Sequence, residues 1–228
     1  MKNNKKILVV AAHPDDEVLG CGGTIAKEVS LGSEVSVLIL GDGETSRNQD
    51  DVKEKLEQKQ NSCQKASDIM GVKNLFLEKL PDNKFDSMPL LDIVKVIEKY
   101  IEIVKPDTIF THHMGDLNVD HQLTFKAVLT AARPQPGCLV KEIFSFEVLS
   151  STEWQAKESH LMFRPNYYNN ITDFFDKKIE ALNAYEQELR EYPHPRSKKG
   201  VEVLAKYRGI ESGFDFVEAF EIVRKLHD

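Results

Sequence analysis

A chain of 228 residues fits one α/β domain better than two, and it can bury a core without disulfide or metal staples. Its 30 Lys and Arg against 37 Asp and Glu leave a formal net charge of −7, which argues against sequence-independent nucleic-acid binding, a function that needs a basic face. With 41% hydrophobic and 29% charged residues, and no run near the ~20 apolar residues of a membrane span, the composition is that of a soluble globular protein.

The N-terminal lysines precede an apolar run of only Ile7 to Ala12, too short for the ~7–15-residue core of a secretory signal, so a cytoplasmic location is expected. The same run has the continuous apolar character of a parallel strand covered on both faces. After a Gly-rich turn, Thr24 to Leu31 is expected to form a helix that stops at Gly32. Glu34 to Leu40 follows as a strand ending in the turn Gly41-Asp42-Gly43. Asp50 to Met70 is a long charged helix closed by Gly71, and Leu75-Phe76-Leu77 reads as a third strand. Leu90 to Val104 has a helical apolar period and ends before Pro106. Thr108 to Thr111 reads as a short buried strand, Val119 to Ala132 as a helix stopped by Arg133-Pro134, and Ile143 to Val148 as a further strand. The last third is less regular: a helix from about Asp173 to Arg190, a Pro-rich loop at 192–195, a helix near Arg196 to Arg208, then the segment Phe214 to Arg224. The Phe and Ile positions of these C-terminal helices read as core. Strands alternating with helices imply an α/β fold with a mainly parallel sheet and helices on both faces, and no linker divides it, so residues 1–228 are expected to form a single domain. Cys21, Cys63 and Cys138 are odd in number, far apart and in no CxxC pair, which speaks against a disulfide framework and a thiolate zinc site.

The chemistry concentrates at two strand ends. His13-Pro14-Asp15-Asp16-Glu17 begins where the first strand stops, the edge at which open α/β sheets place ligands. Pro14 biases His13 toward extended geometry. An imidazole and a carboxylate three residues apart in such a turn can reach one metal, with another carboxylate left to face an activated water. Three consecutive acids at a buried strand end repel one another unless a cation compensates. The second constellation runs from Thr111-His112-His113 through Asp116 and Asn118 to Asp120-His121. If His121 completes a shell of two imidazoles and one carboxylate, the donors suit Zn²⁺ in a hydrolase or Fe²⁺ in an oxygenase, and a spare Asp nearby favours hydrolysis. A dinucleotide fingerprint is the rival reading of Gly20-Cys21-Gly22-Gly23, with Asp42 ending the next strand. Ile25 stands where its third glycine belongs, and the acids sit where a pyrophosphate would dock. The glycines are better explained by close packing of the first helix.

These residues resemble the PIG-L/LmbE-like family of zinc-dependent N-deacetylases. The resemblance rests on AHPDDE at 12–17, the GCGGTIA after it, GDGETSR at 41–47 and DLNVDH ending at His121. FEVLSSTEW at 146–154 and YPHPRS at 192–197 are softer matches. It implies a Rossmann-like fold, Zn²⁺ as cofactor and hydrolysis of an N-acetyl group from a small-molecule amino-sugar conjugate or nucleotide-linked sugar. Carried over by position, it makes His13, Asp16 and His121 the zinc ligands, Asp15 the general base and Asp120 a residue tuning a neighbouring group. Many members carry HxDH, and here the first His is Asn118, whose amide can donate a hydrogen bond to an oxyanion but cannot transfer a proton. That leaves His112, His113 and His194 as imidazoles for the proton. Arg47 matches a substrate-binding arginine, while Trp154 offers a ring for sugar stacking and His113 a substrate contact. Glu147, Arg133 and Arg196 are weaker candidates. The alternatives are a nucleotide-binding module without chemistry and a metal-dependent hydrolase of another bond. A homo-oligomer is compatible with all of these.

Overall fold

The computed structural model describes residues 5–43 and 52–227, with the side chains of the second segment described from 54 onward. Arg47 and the first residues expected of the long charged helix lie outside the described residues.

A seven-stranded sheet runs through the molecule in the order β3-β2-β1-β4-β5-β7-β6. Strands β1 (Lys6–Ala11), β2 (Glu34–Gly41), β3 (Asn74–Leu80), β4 (Thr108–His112) and β5 (Glu142–Phe146) are parallel. Strand β7 (Val217–Lys225) runs antiparallel to both β5 and β6 (Tyr167–Asn170). Apolar side chains alternate across the pleat, so both faces of the sheet are covered. On one face Val9, Val37 and Phe144 pack with α1 (Asp16–Ser30), α2 (Val52–Met70), α5 (Phe175–Asn183) and α6 (Lys198–Ser212). On the other, Leu8, Val10 and Leu38 pack with α3 (Leu90–Val104) and α4 (Val119–Ala131).

The first five strands and four helices follow the expected order. Three segments differ. Helix α1 begins at Asp16, eight residues before Thr24, and is kinked at Cys21. Its glycines are contact points: a Cβ on Gly20 would lie 2.3 Å from the Phe146 ring and one on Gly23 would lie 2.7 Å from Ile171. Helix α5 stops at Asn183 rather than Arg190. The segment 214–224 mostly enters the sheet as β7, where Phe220 is core and Phe216 and Ile222 pack against it. Phe214 is exposed, as is Ile210 near the end of α6, so not every Phe and Ile position expected in the core lies there. Val217-Glu218-Ala219-Phe220 is buried at every position, and the buried Glu218 interrupts the apolar run that would mark the strand. Cys21, Cys63 and Cys138 are all free thiols. Among the described residues no helix is long and apolar enough to cross a membrane.

The strand order places β1 between β2 and β4, with the crossovers leaving in opposite directions on either side. This is the switch point of a doubly wound sheet, where a crevice opens outside the carboxyl ends of the strands.

Candidate metal centre

Three side chains meet in that crevice. His13 follows β1, Asp16 opens α1 and His121 lies in the first turn of α4, and one ligand atom from each falls within 4.8 Å of the others. His13 Nδ1 is 3.4 Å and His121 Nε2 is 3.2 Å from Asp16 Oδ2. The far nitrogens of both rings face carboxylates. His13 Nε2 is 3.0 Å from Asp120 Oδ2 and 3.3 Å from Asp82 Oδ1, and His121 Nδ1 is 3.2 Å from Asp116 Oδ1. Carboxylates on the outer nitrogens orient imidazoles and fix their tautomers so that the inner nitrogens are free for a metal.

Asp16 is fully buried, and its Oδ1 has no hydrogen-bond partner among the described residues. An unpartnered buried carboxylate oxygen is costly unless a cation meets it. Burial pushes Asp16 up, yet the charge of His121 and the hydrogen bonds of His121 and His13 outweigh it and hold the carboxyl well below the usual range. Burial likewise disfavours charged imidazoles. The carboxylates Asp120 and Asp16 nevertheless raise His13 to about 10, and Asp16 and Asp116 raise His121 to about 9. Protons on two imidazoles balance the acids here as a divalent ion would. The cluster is positioned to bind such an ion, and its N/O donors fit one.

Asp15 stands beside the cluster. It is the N-cap of α1, but its side chain makes no capping bond, and its Oδ2 lies 3.1 Å from Arg196 Nη1. Burial pushes its carboxyl up to about 7, opposed by Arg196. Arg196 Nε donates to Ser150 Oγ at 2.7 Å. The Arg196 amide donates to His194 Nδ1 at 3.1 Å, and the His194 ring meets the Trp154 indole edge-on at 5.8 Å. Trp154 is half exposed, on the short helical turn Thr152–Trp154. The softer sequence matches at 146–154 and 192–197 therefore come together beside Asp15.

Other candidates are placed elsewhere. Asn118 is the N-cap of α4: its Oδ1 accepts the Asp120 amide at 2.8 Å, while its Nδ2 donates to Asn83 Oδ1 at 3.2 Å. His112 accepts the Ala12 amide on Nε2 at 2.8 Å and stacks on His121 with centroids 3.9 Å apart. Burial, then the charge of His121, pulls its pKa down to about 3, so it is a neutral spacer. His113 turns away, with Nδ1 2.8 Å from Glu221 Oε2 and Nε2 2.9 Å from the Leu161 carbonyl. Glu147 is paired to Arg208 by two bonds of 2.7 and 2.9 Å, and exposed Arg133 lies near Glu98. Sequence reasoning gave no role to Asp82, Asp116 or Tyr185. Asp116 also accepts the hydroxyls of Ser151 and Thr152, and only the acid inside a strand-end loop hinted at it.

The glycine segment is closed to a pyrophosphate. Gly23 and Thr24 donate their amides to the Glu218 carboxylate at 2.9 and 2.7 Å, so a side chain fills the anion position that a dinucleotide would use.

A family model described as PIG-L, GlcNAc-PI de-N-acetylase, matches residues 8–132, more than half of the chain, from within β1 through α4. The chain belongs to the PIG-L family. Within the PIG-L/LmbE-like proteins it is similar to a Bacillus anthracis protein named probable N-acetyl-α-D-glucosaminyl L-malate deacetylase 2. The two are 25% identical over 191 residues, spanning 81% of this chain and 82% of the relative. It is also similar to diacetylchitobiose deacetylase of Thermococcus kodakarensis, 26% identical over 233 residues, spanning 96% of this chain and 83% of the relative. In fold it matches GalB, the 4-carboxy-2-hydroxymuconate hydratase of Pseudomonas putida KT2440. The TM-score is 0.75 at 21% identity, covering 98% of this chain and 98% of that one. The PIG-L fold is thus shared with a hydratase, and the reaction has to be argued from the site.

Proposed function

We propose that this protein is a zinc-dependent hydrolase that removes the acetyl group from an N-acetylated amino sugar, carried on a nucleotide or another soluble conjugate, releasing acetate and the free amine. The observation that carries the reading is the His13–Asp16–His121 cluster with a second carboxylate next to it, Asp15, which caps no helix amide and pairs with Arg196. The names of the two deacetylase relatives support it.

His13, Asp16 and His121 would hold the ion, a donor set that zinc accepts with positions to spare. Bound there, zinc supplies Lewis-acid polarisation of the amide carbonyl and brings the pKa of water down to about 7. Asp15 takes the water proton, its carboxylate held in place by Arg196. Asp120 orients His13 through Nε2. The Asn118 Nδ2 amide at the rim serves as a donor to the oxyanion once it leaves Asn83. The amine needs a proton to depart. Asp15 returns the one it took, and His194, whose Nδ1 accepts the Arg196 amide, offers its Nε2–H as a hydrogen-bond donor to the substrate. Trp154 offers an exposed aromatic face to the sugar, and Arg47 a cation to an anionic substituent.

The test is acetate release from a panel of UDP- and GDP-linked N-acetyl sugars and simple N-acetyl glycosides, with and without a chelator. Acetate that disappears with chelator and returns with zinc is expected. Phosphate release without acetate would make the protein a phosphoesterase. Nucleotide binding that survives His13→Ala, with no release of either product, would make it a binding module.

A further inference from the structure

An Asp at an N-cap ordinarily turns its side chain back onto the free amides of the first helical turn. Asp15 does not. Its backbone has φ 94° and ψ −25°, left-handed and strained for a residue with a Cβ, and no capping bond forms. Its carbonyl still accepts the Leu19 amide at 2.9 Å, so the helix starts normally while the carboxylate swings onto Arg196.

The strained backbone has a specific support. Glu17 Oε2 accepts the Asp15 amide at 3.1 Å: as in a capping box, an acid of the first turn reaches back to the N-cap amide, here from the second helical position instead of the third. The reciprocal arm, N-cap side chain to helix, is the one missing. Glu17 Oε1 accepts the hydroxyl of Tyr185 at 2.6 Å, from the segment that follows α5. Glu17 is fully buried and Tyr185 is 3% exposed. Among the described residues no cation pairs with Glu17, so its bonds to the Asp15 amide and the Tyr185 hydroxyl are what satisfy this buried carboxyl group.

We propose that Glu17 and Tyr185 form a positioning brace that holds Asp15 in its left-handed conformation and so keeps the carboxylate off the helix amides and available for proton transfer. The proposal rests on the reading of Asp15 as the base. Neither brace residue touches substrate; both act through the Asp15 backbone.

The test compares Tyr185→Phe, Glu17→Ala and Glu17→Gln in the zinc-loaded protein. Tyr185→Phe should lower kcat about tenfold and Glu17→Ala about 100-fold, the scale of a base misplaced by about 1 Å, with KM and zinc stoichiometry unchanged. Glu17→Gln keeps an oxygen for the Asp15 amide and should recover most of the Glu17→Ala loss. In an Asp15→Asn background, Tyr185→Phe should cost nothing further, because the group it positions is already gone. A second readout needs no turnover: crystal structures of the wild type and Glu17→Ala should show Asp15 left-handed in the first and relaxed onto the helix amides in the second. Unchanged kcat in Tyr185→Phe, an equal loss in both backgrounds, or a left-handed Asp15 that persists in Glu17→Ala would each overturn the brace. A wild-type protein without deacetylase activity would remove the functional reading, and the crystal structures would then decide the brace by themselves.

Discussion

His112 and His113 are neighbours at the end of β4, yet one ring stacks against His121 in the crevice and the other bonds to β7, because successive side chains on a strand point to opposite faces. Asp15 and Asp16 divide in a similar way. A left-handed backbone at the first sends its carboxylate to Arg196, and the helical start of the second sends its carboxylate to the imidazoles. Asp15→Asn should therefore keep stoichiometric zinc and lose on the order of 10²–10⁴-fold in kcat, the range of a general base. Metal analysis beside steady-state kinetics checks it, and loss of zinc would show that the two aspartates had been assigned the wrong way round. His194→Ala removes a hydrogen-bond donor beside Arg196 and should lower kcat about tenfold with zinc stoichiometry unchanged, read from steady-state kinetics beside metal analysis. An unchanged kcat would place His194 outside the reacting site.

Helix α1 is held in two halves. Asp15 and Glu17 organise its first turn, and past the kink at Cys21 the Glu218 carboxylate from β7 takes the next free amides, with Lys178 of α5 donating to Glu218 at 2.6 Å and to the Leu19 carbonyl at 2.8 Å. Lys178 and Glu218 are both buried, so Lys178→Met should cost about 3 kcal/mol, the low end for one broken buried pair since two amides still satisfy the carboxylate. Urea unfolding measures this directly. A further inter-element pair, His113 with Glu221, ties the end of β4 to β7 and gives a pH dependence. Burial disfavours charge on both, but their mutual bond outweighs it: His113 is raised from 6.5 and Glu221 lowered from 4.5. The His113 contribution is complete below its unfolded value and fades as pH rises through the raised one. That of Glu221 is complete above its unfolded value and fades as pH falls through the lowered one. The stability difference between wild type and Glu221→Gln should therefore peak at about pH 5–6 and shrink toward pH 9. Unfolding midpoints across that range read it out, and a flat difference would deny the pair any charge.

At the scale of the molecule, the site depends on strand order: β1 delivers His13, the adjacent β4 leads into His121, and the crevice between them exists because the sheet reverses direction there. A ligand held only by the folded arrangement stabilises it, so zinc at 100 times its Kd should add about 2.7 kcal/mol and raise Tm by about 5–10 °C. Scanning calorimetry with zinc and with chelator checks this, and the shift should vanish in His13→Ala.

Much of this was legible in the residues themselves. The continuous apolar run of β1, the breaks at Gly32, Gly71 and Pro106, and the acids crowded after Ala12 are local signals, and local physics is enough to read a buried strand, a helix end or an uncompensated charge cluster. Such local signals fail after residue 173, because β7 carries Glu218 inside an otherwise apolar buried run and its carboxylate serves helix amides some 195 positions away in the chain. Arg196 and Tyr185 have no periodicity or spacing that ties them to Asp15 and Glu17; only the packing of the C-terminal segments onto α1 brings them there. Composition and short-range pattern decided the class of fold, and the motifs shared with the PIG-L family singled out His13, Asp16 and His121, which the fold brings together. Which acid turns to Arg196, which histidine faces the crevice and what holds the strained turn were decided by tertiary contacts, because a side chain's direction and partner depend on neighbours that the local sequence does not contain.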